Sequence, residues 1–216
     1  MSFFDINNIL VTVWGYNICF LELLGFISGF LAIFLANREN IYTFWIGILN
    51  CICYFGIFWQ QHLYSMMLLQ VVFIGINIYG IVCWSFPKEQ KQNLSNKLKI
   101  TTLPLKEVIT HCIIILLFGT IWGYVVLNLS QRFPTYFSLP PYPYIDAILL
   151  AANIVGQVWL ARKKIENWIL WIIVNLISIV LWFSLDMKLT AFLYLCYLFI
   201  AIDALLSWQK ELKKQK

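Results

Sequence analysis

Residues 161–184 read ARKKIENWILWIIVNLISIVLWFS. Three consecutive cations, Arg162, Lys163 and Lys164, open the stretch, and after Glu166 no charge follows in it. As a helix, an apolar run of about 20 residues crosses the hydrocarbon core of a bilayer. Outward from it the same length recurs, as Ile18–Ala36, Ile41–Trp59, Leu63–Trp84, Val108–Leu129, Tyr144–Ala161, Ile165–Ser184 and Leu189–Trp208. Composition agrees: of 216 residues 62% are hydrophobic and 12% charged, and the mean hydropathy is +0.80. Soluble domains carry about 25% charged residues, so a soluble enzyme, a disordered protein and a nucleic-acid binder are excluded. Backbone groups in lipid must be satisfied within a helix or a closed barrel. Barrel strands would alternate over about ten residues, and these runs are continuous. The expected fold is therefore all-α integral membrane, with seven transmembrane helices.

The loops orient the chain. With seven spans, alternate loops share a side. One side holds Arg38, the lysines from Lys88 to Lys106, Arg162, Lys163, Lys164 and the tail lysines, which is thirteen of the fifteen basic residues. The other holds Arg132 and Lys188. Cytoplasmic loops carry the excess of Lys and Arg, so the C-terminus is expected inside and the N-terminus outside. No cleavable signal peptide is expected, because Asp5 stands where a basic segment would be. The six cysteines lie in apolar runs without metal-ligand spacing and read as small packing residues.

The chain also resembles itself at an offset of about 125: Trp45 with Asn50 against Trp171 with Asn175, Leu63-Tyr64 against Leu189-Thr190, and Trp84 against Trp208. Each half is three runs, and Val108–Leu129 joins them. An odd joining helix keeps both trios in one orientation, giving parallel repeats about an axis along the membrane normal. Internal repeats mark transporters, with the substrate site near the midplane where the halves meet. The expected division is 1–17, an interfacial segment or an extension of the first helix; 18–84, the first repeat; 85–143, a cytoplasmic loop, linker helix and outer loop; 144–208, the second repeat; and 209–216, a basic cytoplasmic tail.

Polar groups inside a bilayer are costly and mark functional faces. The interior candidates are Asn50; Gln70 and Asn77, seven apart on one face; Asn153 and Gln157, four apart; Trp168, Trp171 and Asn175 at i, i+3 and i+7; Tyr194 and Tyr197; and Asp203. Amides suit a carboxamide or hydroxyls, and indole and phenol faces suit a flat cationic ring. Asp203 would serve as a counter-ion. The set describes a neutral or cationic aromatic solute, and no basic residue lies in the interior to meet a phosphate. Each amide also has a helix–helix hydrogen bond as its plainer reading. Trp45, Trp59, Trp84 and Trp208 sit where interfacial aromatic belts form, and Gly25 with Gly29 is a small-xxx-small pair. No catalytic residue, metal site or cofactor is expected: two histidines stand apart, and neither a G-x-S-x-G elbow nor a P-loop occurs.

Glu39-Asn40 followed by Trp45-Ile46-Gly47, the stretch from Leu69 and Gln70 through Asn77 and Tyr79 to Gly80, and Ala161–Trp171 with Asn175 together resemble the PnuC family of nicotinamide riboside transporters. The resemblance runs from about Glu22 onward. It implies a 3+1+3, SWEET-like fold in a bacterial plasma (inner) membrane. It also implies uptake of nicotinamide riboside, a vitamin B3 precursor for NAD synthesis, by facilitated diffusion with trapping by a cytosolic kinase. The family's pocket carries over to Trp168, Trp171 and Asn175, then to Gln70 and Asn77. Many relatives have Asp at the position of Asn175, and a Trp and a Pro near Tyr42–Ile46. A thiamine carrier of the same fold, and a non-transporting membrane protein with sealed polar faces, are the competing readings. Membrane lipid and the vitamin are the expected partners, no nucleic acid is, and a homo-oligomer is left open.

Overall fold

In the computed structural model, the described residues are 4–13, 15–61, 64–87, 98–134 and 141–215. His62, Leu63, Lys88, Lys91, Lys97, Lys216 and residues 135–140 lie outside them. Seven helices carry the apolar runs: α1 Phe20–Asn37, α2 Tyr42–Gln60, α3 Tyr64–Ser85, α4 Leu105–Arg132, α5 Pro143–Ala161, α6 Glu166–Ser184 and α7 Lys188–Lys214. All seven are long and apolar enough to cross a membrane. α4 begins three residues earlier than its apolar run, and α7 continues through most of the basic tail, where Lys214 pairs with Glu211 at 3.2 Å.

The N-terminal segment neither extends the first helix nor forms one. Ile9–Val13 (β1) and Tyr16–Cys19 (β2) pair antiparallel, with Val13 opposite Tyr16 and Gly15 at φ 81 between the strands. β-branched residues on both sides of a glycine turn favour this hairpin. Gln60 at the end of α2 holds the chain leading into it: its Oε1 accepts from Ile6 N at 3.1 Å, and its Nε2 donates to Phe4 O at 3.0 Å. Glu22, in the first turn of α1, accepts the Cys19 amide at 2.9 Å and completes a capping box.

The chain divides into two compact units, residues 1–99 and 100–216. In the first, α2 packs against both α1 and α3. In the second, α4 to α7 pack in sequential pairs, and Ile115, Leu149, Ala151, Ala152, Val174 and Leu181 of α4, α5 and α6 form an apolar core. The α4–α5 seam is close because Gly119 and Gly123 are bare. A methyl group at Gly119 would lie 2.9 Å from Ile148 Cα, and one at Gly123 would lie 3.0 Å from Tyr144 Cα. This small-xxx-small pair brings two backbones together. Gly25 instead receives the Tyr54 ring of α2.

The same turn is built in both units, 124 positions apart. Glu39 N donates to Ala36 O and Asn40 N to Leu35 O; Lys163 N donates to Leu160 O and Lys164 N to Trp159 O. These are Schellman closures, here with non-glycine residues, Glu39 (φ 52) and Lys163 (φ 50), in the left-handed position. After the turn, Phe44 N donates to Ile41 O and Trp168 N to Ile165 O, each at 3.2 Å. The shared register therefore sets Trp168 against Phe44, Trp171 against Gly47 and Val174 against Asn50. The pairings of Trp45 with Trp171 and of Asn50 with Asn175 drawn from residue identity are displaced by one or two positions. Trp84 and Trp208 do correspond. Each is buried edge-on against its partner: Phe44–Trp84 with centroids 5.0 Å apart, Trp168–Trp208 with centroids 5.5 Å apart. They are core residues, whereas Trp45 and Trp59 are exposed in the manner of an aromatic belt.

Candidate functional site

The second unit concentrates the indoles. On α6, Trp168, Trp171 and Asn175 follow one stripe that Ser178 and Trp182 continue, at i+10 and i+14 from Trp168. Trp168, Asn175 and Ser178 are buried, while Trp171 is half-buried. Trp171 lies over Gly156 of α5, where a methyl group would come within 3.2 Å of its Nε1. Gln157, the next residue on α5, is half-buried. From α7, Tyr194 stacks on Trp182 with centroids 6.4 Å apart. Tyr197 meets Tyr194 edge-on at 6.0 Å. Thus Trp168 packs on Trp208 of α7 and Trp171 on α5, Asn175 is buried farther along the helix, and Tyr194 and Tyr197 of α7 meet the far end of the stripe, marked by Ser178 and Trp182. The last two were missed in the sequence, although the i+3/i+4 spacing runs through them. Asp203 is on α7 but exposed.

The first unit holds the other amides. Asn77 of α3 is buried, and its Nδ2 donates back to Phe73 O at 2.9 Å. Its carboxamide fits over Gly47 of α2, where a methyl group would stand 2.6 Å from Oδ1. Gln70, two turns earlier on α3, is half-buried at the position that corresponds to Tyr194. Asn50 is spent on helix packing: its Nδ2 donates to Gly25 O of α1 at 2.6 Å and approaches Ser28 Oγ at 3.3 Å. The corresponding residues of the second unit, Val174, Leu149 and Ala152, form apolar core. Asn153 likewise donates back along its own helix, to Leu149 O at 2.8 Å. Among the described residues no cluster of three or more His, Cys, Asp or Glu side chains is arranged for a metal.

Seven apolar helices with carboxamides and indoles set into their buried faces define a polytopic α-helical membrane protein. The sequence profile of the family described as "Nicotinamide mononucleotide transporter" matches residues 19–210. The chain is 31% identical to the nicotinamide riboside transporter PnuC of Escherichia coli (strain K12), over 96% of this chain and 94% of that one. It is 22% identical to the riboflavin/roseoflavin transporter RibM of Streptomyces davaonensis, over 94% and 91%. A crystal structure of the vitamin B3 transporter PnuC superposes with a TM-score of 0.65 at 20% identity, covering 91% of this chain and 83% of that one. The chain belongs to the nicotinamide mononucleotide transporter family, a family of membrane transporters.

Proposed function

We propose that the protein carries nicotinamide riboside across the inner membrane by facilitated diffusion, and that a cytosolic kinase then traps it. The observation that carries this reading is the α6 stripe: two indoles and a buried carboxamide on one helix face, in a chain similar along its length to a riboside transporter. The cationic ring would lie against Trp168 and Trp171, since a cation over an indole gains about 0.5–2 kcal/mol. Asn175 offers the donor and acceptor that a carboxamide or ribose hydroxyl needs. Gln70, Asn77, Gln157, Tyr194 and Tyr197 are proposed as further lining residues. Asn50 and Asp203 stand lowest in the set, the first because its amide is engaged with α1 and the second because it is exposed.

The riboside is preferred to the mononucleotide on charge. No Lys or Arg falls inside any of the seven apolar runs, and a phosphate calls for charge-assisted donors. The recurrence of one turn 124 positions on supports two parallel three-helix repeats joined by α4, a 3+1+3 SWEET-like plan. The basic loops support an outer N-terminus and a cytoplasmic C-terminus.

Uptake of radiolabelled nicotinamide riboside into proteoliposomes tests the reading. The double variant Trp171→Ala, Asn175→Ala should lose at least about tenfold in affinity, the sum of one cation–π contact and one hydrogen bond. Equal uptake by the variant and the wild type would overturn the site. Thiamine and riboflavin should compete about tenfold less well than the riboside, a difference of about 1.4 kcal/mol; better competition by either names it as the cargo.

A further inference from the structure

We infer that Glu166 is a positioning residue for the α6 stripe, acting through a strap formed by residues 100–103; this rests on the reading of that stripe as the substrate face. The N-terminus of a helix leaves its first amides without internal partners, and α2 and α6 meet that need differently. In α2 the cap is local: Asn40 Oδ1 accepts Tyr42 N at 3.0 Å. The corresponding residue before α6 is Lys164, whose side chain cannot accept. Asn167 N and Trp168 N keep local acceptors, Lys164 O and Ile165 O, and the residues that open α6 are bonded in addition from more than sixty residues upstream. Thr101 O accepts Ile165 N at 3.1 Å, Lys163 O accepts Thr101 N at 3.1 Å, and Lys164 Nζ donates to Thr101 Oγ1 at 2.8 Å. Glu166 Oε1 accepts Leu103 N at 2.8 Å. Ile100 is almost wholly buried, and Pro104 follows as the N-cap of α4.

A local cap would suffice for stability alone, as Asn40 shows in α2. The strap does more: it fixes the start of α6 to the start of α4. Glu166 stands two residues before Trp168, so its bond to Leu103 sets the tilt and phase of the turn from which Trp168 and Trp171 project. Its carboxylate also suits the positive end of the helix. Tyr42, in the corresponding place on α2, is exposed. The strapped helix is thus the one whose first indoles are buried or half-buried, whereas Trp45 of α2 is exposed.

The experiment uses the full-length protein in nanodiscs, with two readouts: hydrogen exchange at 101–105 and 165–168 without ligand, and nicotinamide riboside affinity with transport rate. Glu166→Ala should speed exchange at both segments and weaken affinity about tenfold, the loss of a charge-assisted hydrogen bond, with maximal rate held within about twofold. Glu166→Gln keeps the acceptor oxygen and should restore both readouts. Leu103→Pro removes the donor, should reproduce Glu166→Ala, and should add nothing when combined with it. If Glu166→Ala does not fold, Leu103→Pro carries the same expectation. Unaltered affinity in these variants, affinity lost with exchange unaltered, or failure of Glu166→Gln to rescue would each overturn the assignment. If the wild type itself binds no riboside, the substrate reading fails, and exchange alone decides whether the strap is held through Glu166.

Discussion

Gly47→Ala is the sharpest probe of the first unit. The added methyl would stand 2.6 Å from Asn77 Oδ1 and 3.1 Å from its Cγ, where ordinary contact begins at 3.4 Å. The carboxamide must retreat by about 0.8 Å, or α2 and α3 must part, and overpacking of this kind costs about 1–3 kcal/mol. Asn77 is almost wholly buried and holds Phe73 O at 2.9 Å, so the retreat also strains that bond. If Asn77 touches substrate, displacing it should weaken nicotinamide riboside binding about tenfold, the value of one hydrogen bond. Thermal unfolding in detergent reports the first effect and titration with riboside the second. The double variant Gly47→Ala, Asn77→Ala removes the collision; it should recover stability while binding stays weak. A Gly47→Ala protein with wild-type unfolding would refute the packing, and a double variant no more stable than the single would refute its assignment to Asn77.

Three further outcomes follow from the structure. Converting Asn50 and Ser28 together to Val and Ala copies the apolar solution of the second unit, and should leave riboside affinity intact if Asn50 serves packing; the bond removed is worth about 0.6–1.7 kcal/mol. Gly123→Leu should destabilise the α4–α5 seam by more than about 3 kcal/mol, seen as loss of monodisperse protein in size-exclusion chromatography, because the neighbour it meets is the Tyr144 backbone. Burial pushes the Cys19 thiol above the usual thiol range, so the thiol stays protonated at neutral pH. Its maleimide labelling should be slow there, rise as the pH climbs through the alkaline range, and speed up at fixed pH once detergent unfolds the protein.

Helix existence and length were legible because the bilayer sets both: Ile41–Trp59 in the sequence became Tyr42–Gln60 in the structure, and Ile165–Ser184 became Glu166–Ser184. The stripe of Trp168, Trp171 and Asn175 was legible because helical periodicity fixes a face. Partners across helices were not. Nothing in the sequence says that Asn50 meets Gly25 O, or that Leu103 N reaches Glu166. A recurrence near this offset was visible, but its register was misplaced, since matching Trp45 with Trp171 uses side-chain identity, while the feature shared in the structure is the backbone turn at Glu39 and Lys163. The hairpin escaped because residues 1–17 are apolar enough to pass for an interfacial segment or an extension of the first helix. Only the β-branched residues around Gly15 argued otherwise.

The near-absence of fixed charge within the spans governs energetics as well as recognition. The seven apolar runs hold four carboxylates, Glu22, Asp146, Glu166 and Asp203, all within two turns of a run's end, and no Lys or Arg. A carrier of this composition translocates little charge of its own, so the current it passes is that of its passenger. For a monovalent cation the voltage across an energised membrane then adds a driving force, worth about 2.3 kcal/mol per 100 mV.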